Sequence, residues 1–188
     1  MYKTLFAMAI LAAPNVAGAH ETIYDVEPTH TFVHFEALHS GTSTNRGRFD
    51  TVEGLVKFDR EGKKGKVDIV VRPDSVNTGI ESYNKHLSNA DFLHVEAFPT
   101  ARFEGDDFVF EGNQVKSVSG TLTLLGKQQP VTLKALRFNC YDNPREKTEA
   151  CGGDFETTLK RSDYGMTFGL PGIPDEIRIL IQIEALKR

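Results

Sequence analysis

The amino-acid sequence predicts an all-β domain, and three observations predict it. Short runs alternate apolar and polar residues with a period of two, the signature of strands with one buried and one wet face. Turn residues separate those runs, at Glu61-Gly62, Glu111-Gly112-Asn113, Leu125-Gly126-Lys127 and Pro171 to Asp175. Only one stretch, residues 79–93, breaks the alternation.

In chain order, the first element precedes the domain. Lys3 gives a short positive start, Leu5 to Ala13 an apolar run, and Ala17-Gly18-Ala19 small residues for a signal peptidase. That is the layout of a secretory signal, and the run is shorter than the roughly 20 residues that span a bilayer. Cleavage after Ala19 leaves a periplasmic domain of 169 residues (188 − 19), from His20 to Arg188, enough to bury one sizeable core. No repeat, low-complexity tract or linker divides it.

About eight β-type runs follow, near 31–38, 51–58, 66–72, 99–110, 115–125, 130–139, 154–161 and 176–186. Val33, Phe35 and Ala37 alternate with His34 and Glu36, and Val67, Ile69 and Val71 with Asp68, Val70 and Arg72. The last run is the clearest, with Ile177, Ile179, Ile181, Ile183 and Ala185 on one face. Parity therefore predicts an inner wall that includes Phe35, Phe103 and the Ile177 to Ile183 ladder. In 79–93, Ile80, Tyr83, Leu87 and Phe92 recur at helical offsets, which predicts a short helix or two. The apolar Ile80, Leu87, Phe92 and Leu93 need a surface to pack on. The open end of a barrel is the nearest, so the segment is expected to border an entrance as lid or plug, with Phe92 and Leu93 against a ligand. Antiparallel strands with one apolar face close as a sandwich or a barrel, and about eight make a barrel wide enough for its own side chains or one slender ligand. Periodicity alone leaves these alternatives open.

Composition narrows the function. Removing the signal takes away Lys3 and no acid, moving the formal charge from −4 to −5. A mildly acidic chain with scattered charges does not attract nucleic acid by its overall field. Cys140 and Cys151 are the only two cysteines. A close pair in an exported chain suggests a disulfide clamping a surface excursion, with a gain of roughly 3 kcal/mol; the rival, a metal half-site, matches no zinc spacing. Of the histidines, His30 and His34 share one face of a strand and His39 the other, while His86 and His94 stand eight apart. This spacing supplies no convergent ligand set for a metal. His39 shares the inward parity, so it is read as a buried imidazole with a structural hydrogen bond or as a contact to a ligand head group. No Gly-x-Ser-x-Gly elbow is present, and no spacing selects a carboxylate pair, so no catalytic residue is assigned. Arg161-Ser162-Asp163 is read as structural, with Asp163 capping a turn and Gly165 allowing tight backbone geometry. Met166, beside Tyr164 and Phe168, suits an adaptable apolar wall.

Several motifs together resemble the YceI-like family. They are Pro28-Thr29-His30-Thr31-Phe32-Val33-His34-Phe35 with His39, Val76-Asn77-Thr78-Gly79 leading to His86-Leu87 and Asp91-Phe92, and Phe98-Pro99-Thr100-Ala101-Arg102-Phe103. Gly120-Thr121-Leu122-Thr123-Leu124-Leu125-Gly126 and Arg161-Ser162-Asp163-Tyr164-Gly165-Met166 complete the set. The paired Cys140 and Cys151 also look like one branch of that family. The matches run in order along nearly the whole domain. The resemblance implies an extended, eight-stranded antiparallel lipocalin-like barrel. It implies an apolar tunnel that binds, stores or transports a polyisoprenoid or similar amphiphile. It departs where the family often has Arg-Asp shortly before His-Leu; here Tyr83 and Asn84 stand, which removes that ion pair. The ligand-contacting residues expected on this basis are Phe35, His39, Phe92, Leu93, Phe103, Met166, Phe168, Ile179 and Ile181. No cofactor other than the bound lipid is expected. The expected partner is a long-chain isoprenoid or quinone-like lipid, with transient membrane contact and pairing of two chains left open. The alternatives are a barrel enzyme acting on a lipid or small apolar substrate, and a β-sandwich without a cavity.

Overall fold

A computed structural model describes residues 21–188; the export-signal reading of Met1 to Ala19 lies outside the described residues. The strands are β1 (Thr22–Val26), β2 (Phe32–His39), β3 (Ser43–Phe49), β4 (Val52–Asp59), β5 (Lys64–Val71) and β6 (Val76–Asn77). They continue as β7 (Ala101–Glu111), β8 (Gln114–Leu124), β9 (Lys127–Asn143), β10 (Thr148–Lys160) and β11 (Glu176–Lys187), with helix α1 (Glu81–Ser88) between β6 and β7. β1, β4, β5, β7, β8, β9, β10 and β11 form a closed antiparallel ring, sealed where β11 pairs with β1. The fold is the eight-stranded barrel the resemblance implies. No helix among the described residues is long and apolar enough to cross a membrane.

The ring is not made of the eight runs the alternation picks out. β2 lies outside it and β1 takes its place; five residues with polar Thr22 and Asp25 were too short a signal. β11 explains how both fit. Its first half, Arg178–Gln182, pairs with β2, and its end, Ala185–Lys187, pairs with β1. At the changeover Thr31, fully buried, stands in for a strand: its hydroxyl donates to Glu184 O and accepts from Glu184 N, both at 3.1 Å. The β2–β3 hairpin thus extends the barrel wall upward beyond the closed ring.

Three β-bulges set what points inward. The register slips between Gly105 and Asp107 in β7, between Ser117 and Val115 in β8, and between Arg137 and Ala135 in β9. Each inserts one residue (Asp106, Lys116 and Leu136), and one extra residue swaps the faces of everything beyond it. Above the bulges Phe103, Val131 and Leu133 face the lumen; below them Phe108, Phe110 and Phe138 do. The same slips leave Val109 and Leu136 half-exposed on the outside.

Below the bulges aromatic rings fill most of the barrel, leaving a small space of about 60 Å³. Phe58 packs against Phe108, Phe110 and Phe138 with ring centroids 5.6–6.3 Å apart. Cys140 and Cys151 are disulfide-bonded and sit directly opposite each other across β9 and β10, 4.1 Å apart at Cα. The bond does not clamp a surface excursion. FNCYDNPREKTEACGG is the strand hairpin itself, its turn at residues 144–147, and Cys151 is buried in the core. The base is closed by Tyr24, whose hydroxyl donates to Glu149 Oε1 at 2.6 Å, while Arg60 pairs with the other carboxylate oxygen. Burial alone would raise the Glu149 pKa, but the hydrogen bonds from Tyr24 and Arg60 outweigh it and hold the carboxyl below its usual range.

Candidate functional site

Above the aromatic base the barrel is hollow. A cavity of about 450 Å³ runs from the level of Phe155 to the open end. Its walls are the Ile177, Ile179, Ile181 and Ile183 ladder of β11, with Val33 and Phe35 of β2, Val67, Ile69 and Val71 of β5, and Phe103, Leu122, Leu133 and Leu159 of the strands between. The four isoleucines point inward yet are only half-buried, because the surface they expose is that of the cavity. From Ile177 to Ile183 the strand advances about 20 Å, or about 15 Å along the axis at a tilt near 40°. The space is therefore a slender tube, walled by aliphatic and aromatic carbon over most of its depth.

Local sequence makes room for this wall. Gly47 stands opposite Phe35 in β3, and a Cβ there would lie 2.4 Å from the Phe35 ring. Any larger residue would push Phe35 into the lumen. β3, with the sequence STNRGRF, carries no apolar alternation, which is why the sequence reading passed over it; the lone glycine amid polar residues was the available signal.

The mouth is bordered by the helical segment, as expected. α1 and the turns after it place Tyr83, His86, Leu87, Phe92 and Leu93 on the cavity, and buried Leu87 anchors the helix. Ile80 is a correction: it stands at the N-terminal end of α1 with 59% of its surface exposed and does not pack on the opening. Phe168 is a second. It is 46% exposed and lies outside the cavity wall, edge-on to Phe92 and His86, so Phe92 occupies the inner position. The other expected contact residues, Phe35, His39, Phe92, Leu93, Phe103, Met166, Ile179 and Ile181, all line the cavity. His39 keeps the inward parity, but β2 ends there, so the ring is exposed at the rim rather than buried and has no side-chain hydrogen bond among the described residues. Tyr83 and Asn84 take local roles. Asn84 Oδ1 accepts from Thr78 N and Oγ1 at 2.8 and 2.7 Å, pinning the approach to α1, and the Tyr83 hydroxyl accepts from Asn45 Nδ2 at 3.4 Å. His39, Asn45, Tyr83 and His86 thus give a largely apolar tube a polar rim.

One side of the upper wall rests on a knot that the sequence reading assigned only in part. Arg161, 4% exposed, donates to Pro174 O, Met166 O and Ile173 O at 2.9–3.0 Å, tying the loop between β10 and β11 around its guanidinium. Burial pulls its pKa below the usual arginine value. The turn is capped by Asp175, not Asp163: Ser162 donates through N and Oγ to the two Asp175 oxygens at 2.9 and 2.7 Å, and these bonds hold that carboxyl below its usual range. The Asp163 carboxylate is left outside because the 3₁₀ turn Arg161–Tyr164 points it to solvent. Gly165 closes the turn at φ 91°, a left-handed conformation that favours glycine. Tyr164 lines the cavity wall with its hydroxyl buried and without a partner among the described residues; burial, then the charge of Asp163, pushes its pKa up to about 12. Among the described residues no three His, Cys, Asp or Glu side chains converge as a metal site.

A model of the YceI-like domain matches residues 24–185. A UPF0312 protein of Pseudomonas aeruginosa is 34% identical over 190 residues, covering 99% of this chain and 98% of the relative. Among solved structures, Burkholderia cenocepacia BcnA superposes with a TM-score of 0.69 at 24% identity, covering 86% of this chain and 99% of that one. A polyisoprenoid binding domain from Saccharophagus degradans superposes with a TM-score of 0.63 at 18% identity, covering 88% and 98%. At these identities the two structures share the fold with this chain.

Proposed function

The chain belongs to the YceI-like family, and we propose that it is a periplasmic carrier or store for a long-chain polyisoprenoid, or an amphiphile of similar shape such as a quinone with a prenyl tail. The cavity carries this reading. Its wall stays largely apolar from the open end down to Phe155, and apolar surface left uncovered forgoes roughly 25 cal/mol per Å² of burial. A wall that remains apolar to this depth is built to be filled. A linear hydrocarbon matches both its chemistry and its slenderness, at about 0.8 kcal/mol per methylene buried. The rim residues His39, Asn45, Tyr83 and His86 suit the polar end of such a molecule. The polyisoprenoid binding described for the Saccharophagus degradans neighbour, and the secretory layout of the first residues, support the same reading. So does the very low solubility of a long isoprenoid chain in water, which favours a protein sleeve for crossing an aqueous compartment. Family membership and the apolar lining favour binding over turnover.

Organic extraction of the protein purified from its native compartment, followed by mass spectrometry, tests this. One prenyl lipid per chain, unchanged after prolonged incubation, is the expected result. Protein that emerges empty and takes up no prenyl lipid, or that converts it to a product, would overturn the proposal.

A further inference from the structure

Resting on the reading that the cavity holds a linear isoprenoid, we propose that Val67, Val118, Phe155 and Ile183 form a floor that selects the ligand by its chain length. These four side chains border two spaces at once: the main cavity of about 450 Å³ above, and a second, separate cavity of about 60 Å³ beneath. Phe155 is the largest of the four and is 8% exposed; Val118 is 4% exposed. The floor is thin, one side chain deep, and the space under it is small and walled by buried side chains. Phe58 and Ala185, 4% and 3% exposed, wall the lower cavity, and the aromatic cluster around Phe58 fills the barrel from there down.

A prenyl tail entering from the open end therefore descends until it meets Phe155. Up to that depth every added isoprene unit buries more apolar surface and binding tightens. Beyond it the additional carbons have two choices. They can force the closely packed floor side chains apart toward the small space beneath, which strains their packing, or they can leave the head end standing out of the mouth in water. Neither adds burial, so affinity plotted against chain length breaks at the length that reaches Phe155. The lower cavity is the reserve that truncating Phe155 would open: without the ring, the two spaces and the volume of the ring itself become one tube.

The experiment measures the affinities of a series of all-trans prenyl alcohols, increasing by one isoprene unit at a time, for delipidated protein by displacement of a fluorescent fatty-acid probe. Wild type is expected to show tightening with length and then a break. Phe155→Ala is expected to move the break longer by at least one isoprene unit. Ala185→Leu fills the lower cavity from beneath and should leave the wild-type break where it is, while Phe155→Ala combined with Ala185→Leu should bring the break back. Should circular dichroism show Phe155→Ala to be unfolded, Phe155→Leu carries the same test with a smaller displacement. If all folded variants bind and break at one length, the floor is not the ruler, although the carrier reading stands. If wild type binds no prenyl alcohol of any length, the carrier reading fails and the ruler with it.

Discussion

Above Phe155 the barrel is walled by aliphatic and aromatic side chains that face empty space; below it, the same strands enclose stacked aromatic rings, a disulfide and a hydrogen-bonded base. Ile177, Ile179, Ile181 and Ile183 all point inward and none is fully buried, whereas Tyr24, Phe58 and Val115 are 2–4% exposed. Inward direction and burial, which usually go together, have been separated. One half of the core spends its apolar surface on stability and the other holds it in reserve for a ligand. The three bulges mark the divide, because they turn Phe108, Phe110 and Phe138 into the lumen.

The largest expected effect breaks or keeps this contrast directly. Phe58→Ala removes the ring at the centre of the solid half and should lower stability by roughly 3–5 kcal/mol. Ile179→Ala, in the hollow half, enlarges a space that already exists, and in ligand-free protein its cost should fall below the roughly 2–5 kcal/mol of a packed aliphatic truncation. Urea unfolding of the two delipidated variants checks both. Equal losses would mean that the upper half is packed in solution and that the cavity is not a standing feature.

Next in size is the disulfide, which belongs wholly to the lower half. Replacing Cys140 and Cys151 together by alanine should cost about 3 kcal/mol by the chain-entropy argument for a short loop, read from denaturant midpoints. The load of extracted lipid should not change, since neither cysteine touches the main cavity. Loss of ligand at conditions where the variant is still folded would show that the two halves are coupled.

How far the sequence reveals each half follows from the same division. In β11 no bulge interrupts the strand, and the period-two ladder places every isoleucine on the inner face. In β7, β8 and β9 a single inserted residue reverses parity midway, so the inward set switches from Phe103 to Phe108 and from Leu133 to Phe138 with no marker in the composition. The site was legible where side chains are apolar and periodic. It was hidden where the wall depends on a missing side chain, as at Gly47, or on a strand with polar sequence, as in β3. His39 shows the limit of parity: the face was right, but where the strand stops decided that the ring is exposed. Asp175 in place of Asp163 shows another, since a cap supplied from thirteen residues away leaves no local spacing to read.

The smallest effect expected compares one tyrosine from each half. Tyr24 and Tyr164 are both 3% exposed, and both have pKa values pushed from 10.0 up to about 12. For Tyr24 burial is the larger cause and the hydrogen bond to Glu149 the next; for Tyr164 burial is followed only by the charge of Asp163. In each case the folded state holds the proton more tightly than the unfolded chain. The resulting stability is complete below about pH 10 and is lost as pH rises through about 12. Each Tyr→Phe variant should therefore flatten the fall in stability across that window. At neutral pH the two should part. Tyr24→Phe removes a bond to a carboxylate and should cost about 1.5–3 kcal/mol. Tyr164→Phe removes a buried hydroxyl with no partner among the described residues, so nothing that it bonds is lost, and the desolvation it suffers is relieved. Its stability should stay within about 0.5 kcal/mol of wild type or rise slightly, the range of a substitution that breaks no interaction. Thermal and urea unfolding of delipidated protein at pH 7 measures the difference. If Tyr164→Phe loses as much as Tyr24→Phe, the hydroxyl at the wall of the hollow half has a bonded partner of its own, and the upper half is held by more than its apolar wall.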